Sequence, residues 1–223
     1  MCSQPSRSRG KPSHSVSNLA EIRQRSRPIH GSDDRSAPRG ARQARPLDPR
    51  RLEELALAYV ARFATSAAKL ERYLARKLRE RGWEEEGEKP DLAALVTRYV
   101  ELGYIDDEAF ARARSGSLLR RGYGPRRVGQ ALGEAGIAQE IREELRPEQA
   151  ARRSAALALA RKRRLGPFGM SPPDPQRREK QIAAMLRAGH MLGDARAVID
   201  APSEDAAEQW AAEDEDSTNS VAA

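Results

Sequence analysis

Cysteine is all but missing from this chain of 223 residues: Cys2 stands alone, which excludes an internal disulfide and any cysteine-cluster metal site. A reducing compartment, the cytoplasm, is the corresponding expectation. Histidine is nearly as scarce. His14, His30 and His190 share no motif, so neither a histidine metal site nor a catalytic triad is expected. Aromatic surface is limited to two Trp, five Tyr and three Phe, so a core must rest on Leu, Ala, Val and Ile, an alphabet suited to helices. Long apolar runs are missing too, since nothing approaches the roughly 18 residues a membrane span requires. With 33% charged residues and a mean hydropathy of −0.77, a soluble chain with no membrane partner is expected. The first residues are basic and small with no apolar stretch behind them, so no secretory leader is expected. No alternation of β-branched residues marks a strand, and no Gly-rich phosphate loop is present. These gaps leave no cofactor to expect and no catalytic constellation.

What charge there is lies unevenly. Residues 1–50 hold eleven Lys or Arg against four acids and are rich in Ser, Pro and Gly, which predicts a disordered basic arm over 1–47. From Asp200 onward there are eight acids and no base, which predicts a disordered acidic tail over 201–223. The middle is basic in its own right. No acid occurs between Glu108 and Glu134, where Arg112, Arg114, Arg120, Arg121, Arg126 and Arg127 stand, the last four around a Gly122–Pro125 turn containing Tyr123. A second acid-free stretch, between Glu148 and Asp174, carries Arg152, Arg153, Arg161, Lys162, Arg163 and Arg164. Solvated helix faces account for many such runs; guanidinium forks also suit phosphates or a carboxylate-rich protein groove.

Between Asp48 and Asp200 the spacing of apolar residues and of Gly and Pro predicts nine helices. The first follows an Asp48-Pro49 start and puts Leu52, Leu55, Ala56, Tyr59 and Phe63 on one face. The second begins near Ser66 and stops at Gly82. The third, from Asp91, aligns Leu92, Leu95, Val96, Tyr99 and Leu102 and closes at Gly103. The fourth starts with Asp106 as its cap, with Ile105 placed to staple onto Phe110. The fifth runs from Gly124-Pro125 to Gly136, a short sixth holds Ile141 and Leu145, and the seventh covers about Glu148 to Leu165. A Gly166–Pro173 linker precedes the eighth, Asp174–Arg187, and the ninth, Asp194–Ile199. Leu78/Gly82, Leu132/Gly136 and Met185/Gly189 repeat an apolar residue four before a glycine, at a near-constant interval of about 54 residues. That period predicts an all-α chain of three tandem three-helix repeats, over 48–103, 104–146 and 147–200.

Over residues 99–137 the string Tyr-Val-Glu-Leu-Gly-Tyr-Ile-Asp-Asp-Glu-Ala-Phe-Ala-Arg, the turn Arg120-Arg121-Gly122-Tyr123-Gly124-Pro125-Arg126-Arg127-Val128 and the stop Ala135-Gly136-Ile137 closely resemble the RecX family. A weaker likeness extends over about residues 50–200. The resemblance implies a curved array of three-helix repeats and a regulatory, non-enzymatic protein, a monomer that binds RecA-type recombinase filaments on DNA and restrains recombination and repair. Three departures stand out. Lys69 occupies a place often held by Glu, which removes the capping box Ser66 could close. An acidic insertion spans Glu84–Lys89, and Gly189-His190 stands where Gly-Phe is more usual, which weakens the expected docking of the third repeat.

The expected contacts with filament or DNA are therefore Arg112, Arg114, Arg120, Arg121, Tyr123, Arg126 and Arg127, then Arg161, Lys162, Arg163 and Arg164. DNA binding alone should be weak and non-specific. A stand-alone helical DNA reader is the alternative, with the helices either side of Gly122–Pro125 acting as a helix-turn-helix. Ser66-Ala-Ala-Lys69 matches the Ser-x-x-Lys of penicillin-interacting enzymes, but without their companion motifs it predicts only an N-cap serine and a surface lysine.

Overall fold

The computed structural model describes residues 45–84, 89–171 and 173–213. Most of the expected basic arm, most of the acidic insertion and the end of the acidic tail lie outside the described residues. Ten α-helices occur among those described: α1 Pro49–Arg62, α2 Ala67–Arg81, α3 Leu92–Glu101, α4 Asp107–Arg120, α5 Pro125–Glu134, α6 Gln139–Glu144, α7 Gln149–Arg163, α8 Pro175–Arg187, α9 Leu192–Ile199 and α10 Glu204–Ala212. One 3-10 turn, Gly166–Phe168, lies inside the expected linker.

The helix starts follow local chemistry. Asp48, Asp91, Asp106 and Asp174 each accept from a backbone N–H three residues on, at 2.7, 3.0, 2.8 and 2.8 Å, and so satisfy one of the free donors that open a helix. Stops are as local. At Gly136 the Ile137 N–H donates to Leu132 O at 3.0 Å and the Gly136 N–H to Gly133 O at 2.9 Å; at Gly189 the His190 N–H donates to Met185 O at 3.2 Å and the Gly189 N–H to Leu186 O at 2.9 Å. Both glycines have φ near +80 to +94°, the left-handed residue this double bond requires.

Apolar faces collect into three cores. Leu52, Ala56, Leu70, Leu74, Val96, Tyr99 and Ile105 form the first, Ala111, Leu118, Val128, Leu132, Ala135 and Ile137 the second, and Ala156 to Ile199 the third. Ile105 thus belongs to the first core whereas Phe110 packs on the second, so the two residues of the expected staple fall in different cores. Leu47, placed by the sequence in the arm, is fully buried, with its N–H donating to Gly82 O and its carbonyl accepting from Glu84 N, both at 2.9 Å. Two residues expected to face inward do not: Phe63 is 50% and Leu102 61% exposed, because each sits at the end of its helix, past the neighbour its stripe packs on.

The tenth helix corrects the expected tail. Ser203 accepts from Ala206 N at 3.1 Å, Glu204 and Asp205 sit in the first turn, and Ala207 and Ala211 are buried against α7 with Trp210 on the third core. Bases on α7 face this helix, one of them pairing with an acid and another with backbone carbonyls near its end. Glu208 pairs with Arg161, and Arg153 reaches the Trp210 and Glu213 carbonyls at 3.0 and 2.8 Å with its guanidinium 5.1 Å from the Trp210 ring.

A basic turn at the junction of two repeats

Helix ends carry unpaired donors at their starts and unpaired acceptors at their stops, and in this chain one repeat's stop meets another's start. Gly124 N–H donates to Ala188 O at 2.9 Å and Arg126 N–H to Gly189 O at 3.1 Å, so the first turn of α5 is closed by the stop of α8. The approach leaves no room for a side chain: a Cβ on Gly124 would lie 2.3 Å from Gly189 C and His190 N, and one on Gly122 would lie 2.9 Å from Leu159 N. His190, fully buried, adds an Nε2–Gly122 O hydrogen bond at 3.0 Å. Burial holds its imidazole below the usual histidine range, outweighing the opposing pull of that carbonyl and of Asp194. The docking doubted from the Gly189-His190 departure is therefore made, and the histidine makes part of it.

The first junction repeats the scheme with different partners. Ser66 stands at the N-cap position of α2, yet its hydroxyl donates across to Ala135 O at 2.6 Å instead of capping its own helix. The cap comes from outside: Ala67 N–H donates to Asp107 Oδ1 at 2.9 Å, and Arg72 reaches Glu134 O at 2.9 Å. Lys69 lies over the Phe110 ring at 4.6 Å. The Ser-Ala-Ala-Lys string is thus built into a repeat contact.

Because the glycines of the turn face inward, its arginines face out. Arg112, Arg114, Arg120, Arg121, Arg126 and Arg127 are all exposed. Arg112 pairs with Glu108 at 2.5 Å and Arg127 donates to Gln130 at 2.7 Å, while among the described residues no carboxylate pairs with Arg114, Arg120, Arg121 or Arg126. Arg120 lies over Gly116. Arg121 covers the Tyr123 ring at 5.5 Å, and that ring, half-buried on the second core, is a packing residue on one side. Arg126 also lines a cleft of about 890 Å³ with Arg142, Arg146 and Arg152.

The second basic stretch is less free. Arg161 pairs with Glu208 and lies over Phe168 at 5.7 Å. Lys162, Arg163 and Arg164 are exposed, Arg164 with φ +54° at the stop of α7. Gly122 packing on Leu159 places both stretches on elements in contact. Sequence reasoning missed the α10 partners of Arg161 and Arg153; the signal was present as Ser203 followed by two acids and an Ala207/Trp210/Ala211 spacing.

Comparison with known proteins agrees with this geometry. The family model described as "RecX, second three-helix domain" matches residues 106–145, the part that contains the basic turn. The regulatory protein RecX of Myxococcus xanthus is 33% identical over 183 residues, 76% of this chain and 95% of that protein. The chain belongs to the RecX family. The regulatory protein RecX of a Thermus thermophilus strain is 38% identical over 109 residues, 49% of this chain and 71% of its own length. A crystal structure of RecX from Lactobacillus salivarius shares the fold with a TM-score of 0.54 and 17% identity, covering 68% of this chain and 94% of that one. A RecX-family chain is thus a regulatory protein built of helical repeats. Among the described residues no helix is long and apolar enough to cross a membrane, and no three metal-ligating side chains converge.

Proposed function

We propose that this chain binds RecA-type recombinase filaments on DNA in the cytoplasm and restrains their activity, using the outward arginines of the Arg120–Arg127 turn as its principal contact. The observation that carries the reading is the division of labour in the turn. Its glycines are consumed by the repeat junction, while Arg120, Arg121 and Arg126 stand exposed without acidic partners among the described residues. Guanidinium groups carried on backbone that the junction fixes offer forks to phosphates or acidic side chains, with no carboxylate partner among the described residues to displace first. The alternative, a stand-alone helix-turn-helix reader, would turn the exposed Arg126 and Arg127 at the start of α5 to base edges, and it differs from the first reading in predicting a strong preference for one duplex sequence.

The test uses the recombinase of the same organism on single-stranded DNA. Substoichiometric amounts of the chain should lower ATP hydrolysis or strand exchange, and replacing Arg120, Arg121, Arg126 and Arg127 by Ala should weaken the effect with helicity unchanged. No effect of the wild type refutes the function; full activity of the quadruple variant refutes the site. DNA binding without the recombinase should be salt-dependent, falling on the order of 10³-fold between 50 and 200 mM salt if about six arginines meet phosphates.

A further inference from the structure

The first repeat holds an open cleft of about 920 Å³, formed where the end of α1 lies against α2, with Glu134 at its edge. Aromatic rings line it in a ladder. Tyr59 stacks on Tyr73 with centroids 4.3 Å apart and planes 20° from parallel, and Phe63 follows Tyr59 at 5.4 Å with its plane tilted 52° from it, so that its own face is turned off the stack. The two tyrosines are half-buried against the first core, but Phe63, past the end of α1, leaves half its surface in water. A ring so placed contributes little to the core.

Cations surround the ladder. The Arg62 guanidinium lies 5.5 Å from the Phe63 ring centre and that of Arg76 lies 5.7 Å from Tyr73. Lys69, Arg72 and Arg79 complete the wall, against the single carboxylate of Glu134. Arg76 has Glu80 at 3.6 Å, whereas Arg72 is fixed by the carbonyls of Ala68 and Glu134, which orient it without neutralising it. The crowding of positive charge is felt at Lys69, held below its usual range by burial and then by Arg114 and Arg72.

We propose that this cleft binds single-stranded nucleic acid, with bases stacking on Phe63 at the open end of the Tyr59–Tyr73 ladder and phosphates against Arg62, Arg72 and Arg76. Every unpaired base offers a flat face to such a ladder, and its backbone offers the negative charge the wall lacks; a duplex offers only the charge. An acidic peptide would match the cations but not the row of rings. The site is separate from the basic turn and needs no recombinase.

The experiment is the anisotropy of a labelled oligothymidylate of about 16 nucleotides with the full chain alone at low salt, beside a duplex of equal length. Phe63→Ala should weaken oligothymidylate binding about tenfold, the range for one stacked base being roughly 5- to 150-fold, and leave duplex binding within about twofold. Phe63→Trp should retain wild-type affinity, and Arg62→Glu should weaken the single strand further. Phe63 is half-exposed, so these variants are expected to fold, which circular dichroism checks. Wild-type binding by both Phe63→Ala and Arg62→Glu overturns the site, as does equal weakening of single strand and duplex by Phe63→Ala, or an acidic peptide that binds here as tightly as oligothymidylate. The Arg120–Arg127 variant and the recombinase assay are not involved, so failure of one proposal leaves the other standing.

Discussion

Gly124 sits where the second and third repeats touch, and an added methyl there has nowhere to go. The obstruction is backbone, Gly189 C and His190 N at 2.3 Å and Gly189 O at 2.4 Å, so no side-chain rotation relieves it. Backbone strain is not the issue, since φ −81° and ψ 171° are open to any residue and favoured before Pro125. Gly124→Ala is therefore expected to part the stop of α8 from the start of α5 and to break three hydrogen bonds: Gly124 to Ala188, Arg126 to Gly189 and His190 to Gly122. At about 0.5–1.5 kcal/mol each, roughly 1.5–4.5 kcal/mol of coupling is lost. In a chain of this size each kcal/mol lowers Tm by about 2–4 °C, so the third repeat should melt on the order of 10 °C early and ahead of the rest. Gly129→Ala is the control. It lies inside α5 with open space around its position, and replacing a helical glycine there should stabilise by up to about 1 kcal/mol. Calorimetry and urea unfolding followed by circular dichroism check both. If Gly124→Ala melts as one transition at the wild-type or Gly129→Ala temperature, the junction is not what couples the repeats.

Stability should also fall with acid through His190. Its folded pKa is depressed by burial, so the unfolded chain binds the proton first; stability should drop as pH falls below about 6.5 and level off below the folded pKa. Urea midpoints between pH 7.5 and 5 test this, and His190→Phe, though less stable for leaving Gly122 O unpaired, should lose that acid-side slope. Arg164→Gly is expected to raise stability by about 1 kcal/mol, because a left-handed φ of +54° is strained for arginine and free for glycine; an unchanged or lower Tm would refute it. Ser66→Ala should cost about 1–3 kcal/mol by leaving the buried Ala135 carbonyl without its 2.6 Å partner, where an ordinary exposed N-cap serine would lose nearer 1. Glu208→Gln frees Arg161 and should tighten DNA binding at low salt by no more than about fivefold, since the pair is half-exposed; unchanged or weaker binding would mean that Arg161 does not face DNA.

Much of the secondary structure was legible in the sequence because caps and stops are local. Asp48, Asp91, Asp106 and Asp174 bond three residues ahead and the glycines at 136 and 189 bond within five, so the residue types and their spacing already contain both partners. The tail shows where such reading fails. Ser203 and its two acids signal a helix, but a run of like charge argues for disorder until Arg161 and Arg153 on α7 are known to be opposite it.

The candidate site divides along the same line. That the Arg120–Arg127 stretch is basic and bends at Gly122–Pro125 follows from the residues alone, and so do the helical class and the repeat. That Gly124 meets Gly189, that Ser66 bonds Ala135 across 69 residues, that His190 is buried and that Phe63 is left at the mouth of a basic cleft were decided only by the tertiary structure. Local bonding pairs residues a turn apart and is written in their spacing. A contact between distant helix ends depends on which face each repeat turns to the next, and that is set by the packing of whole cores and not by any one segment.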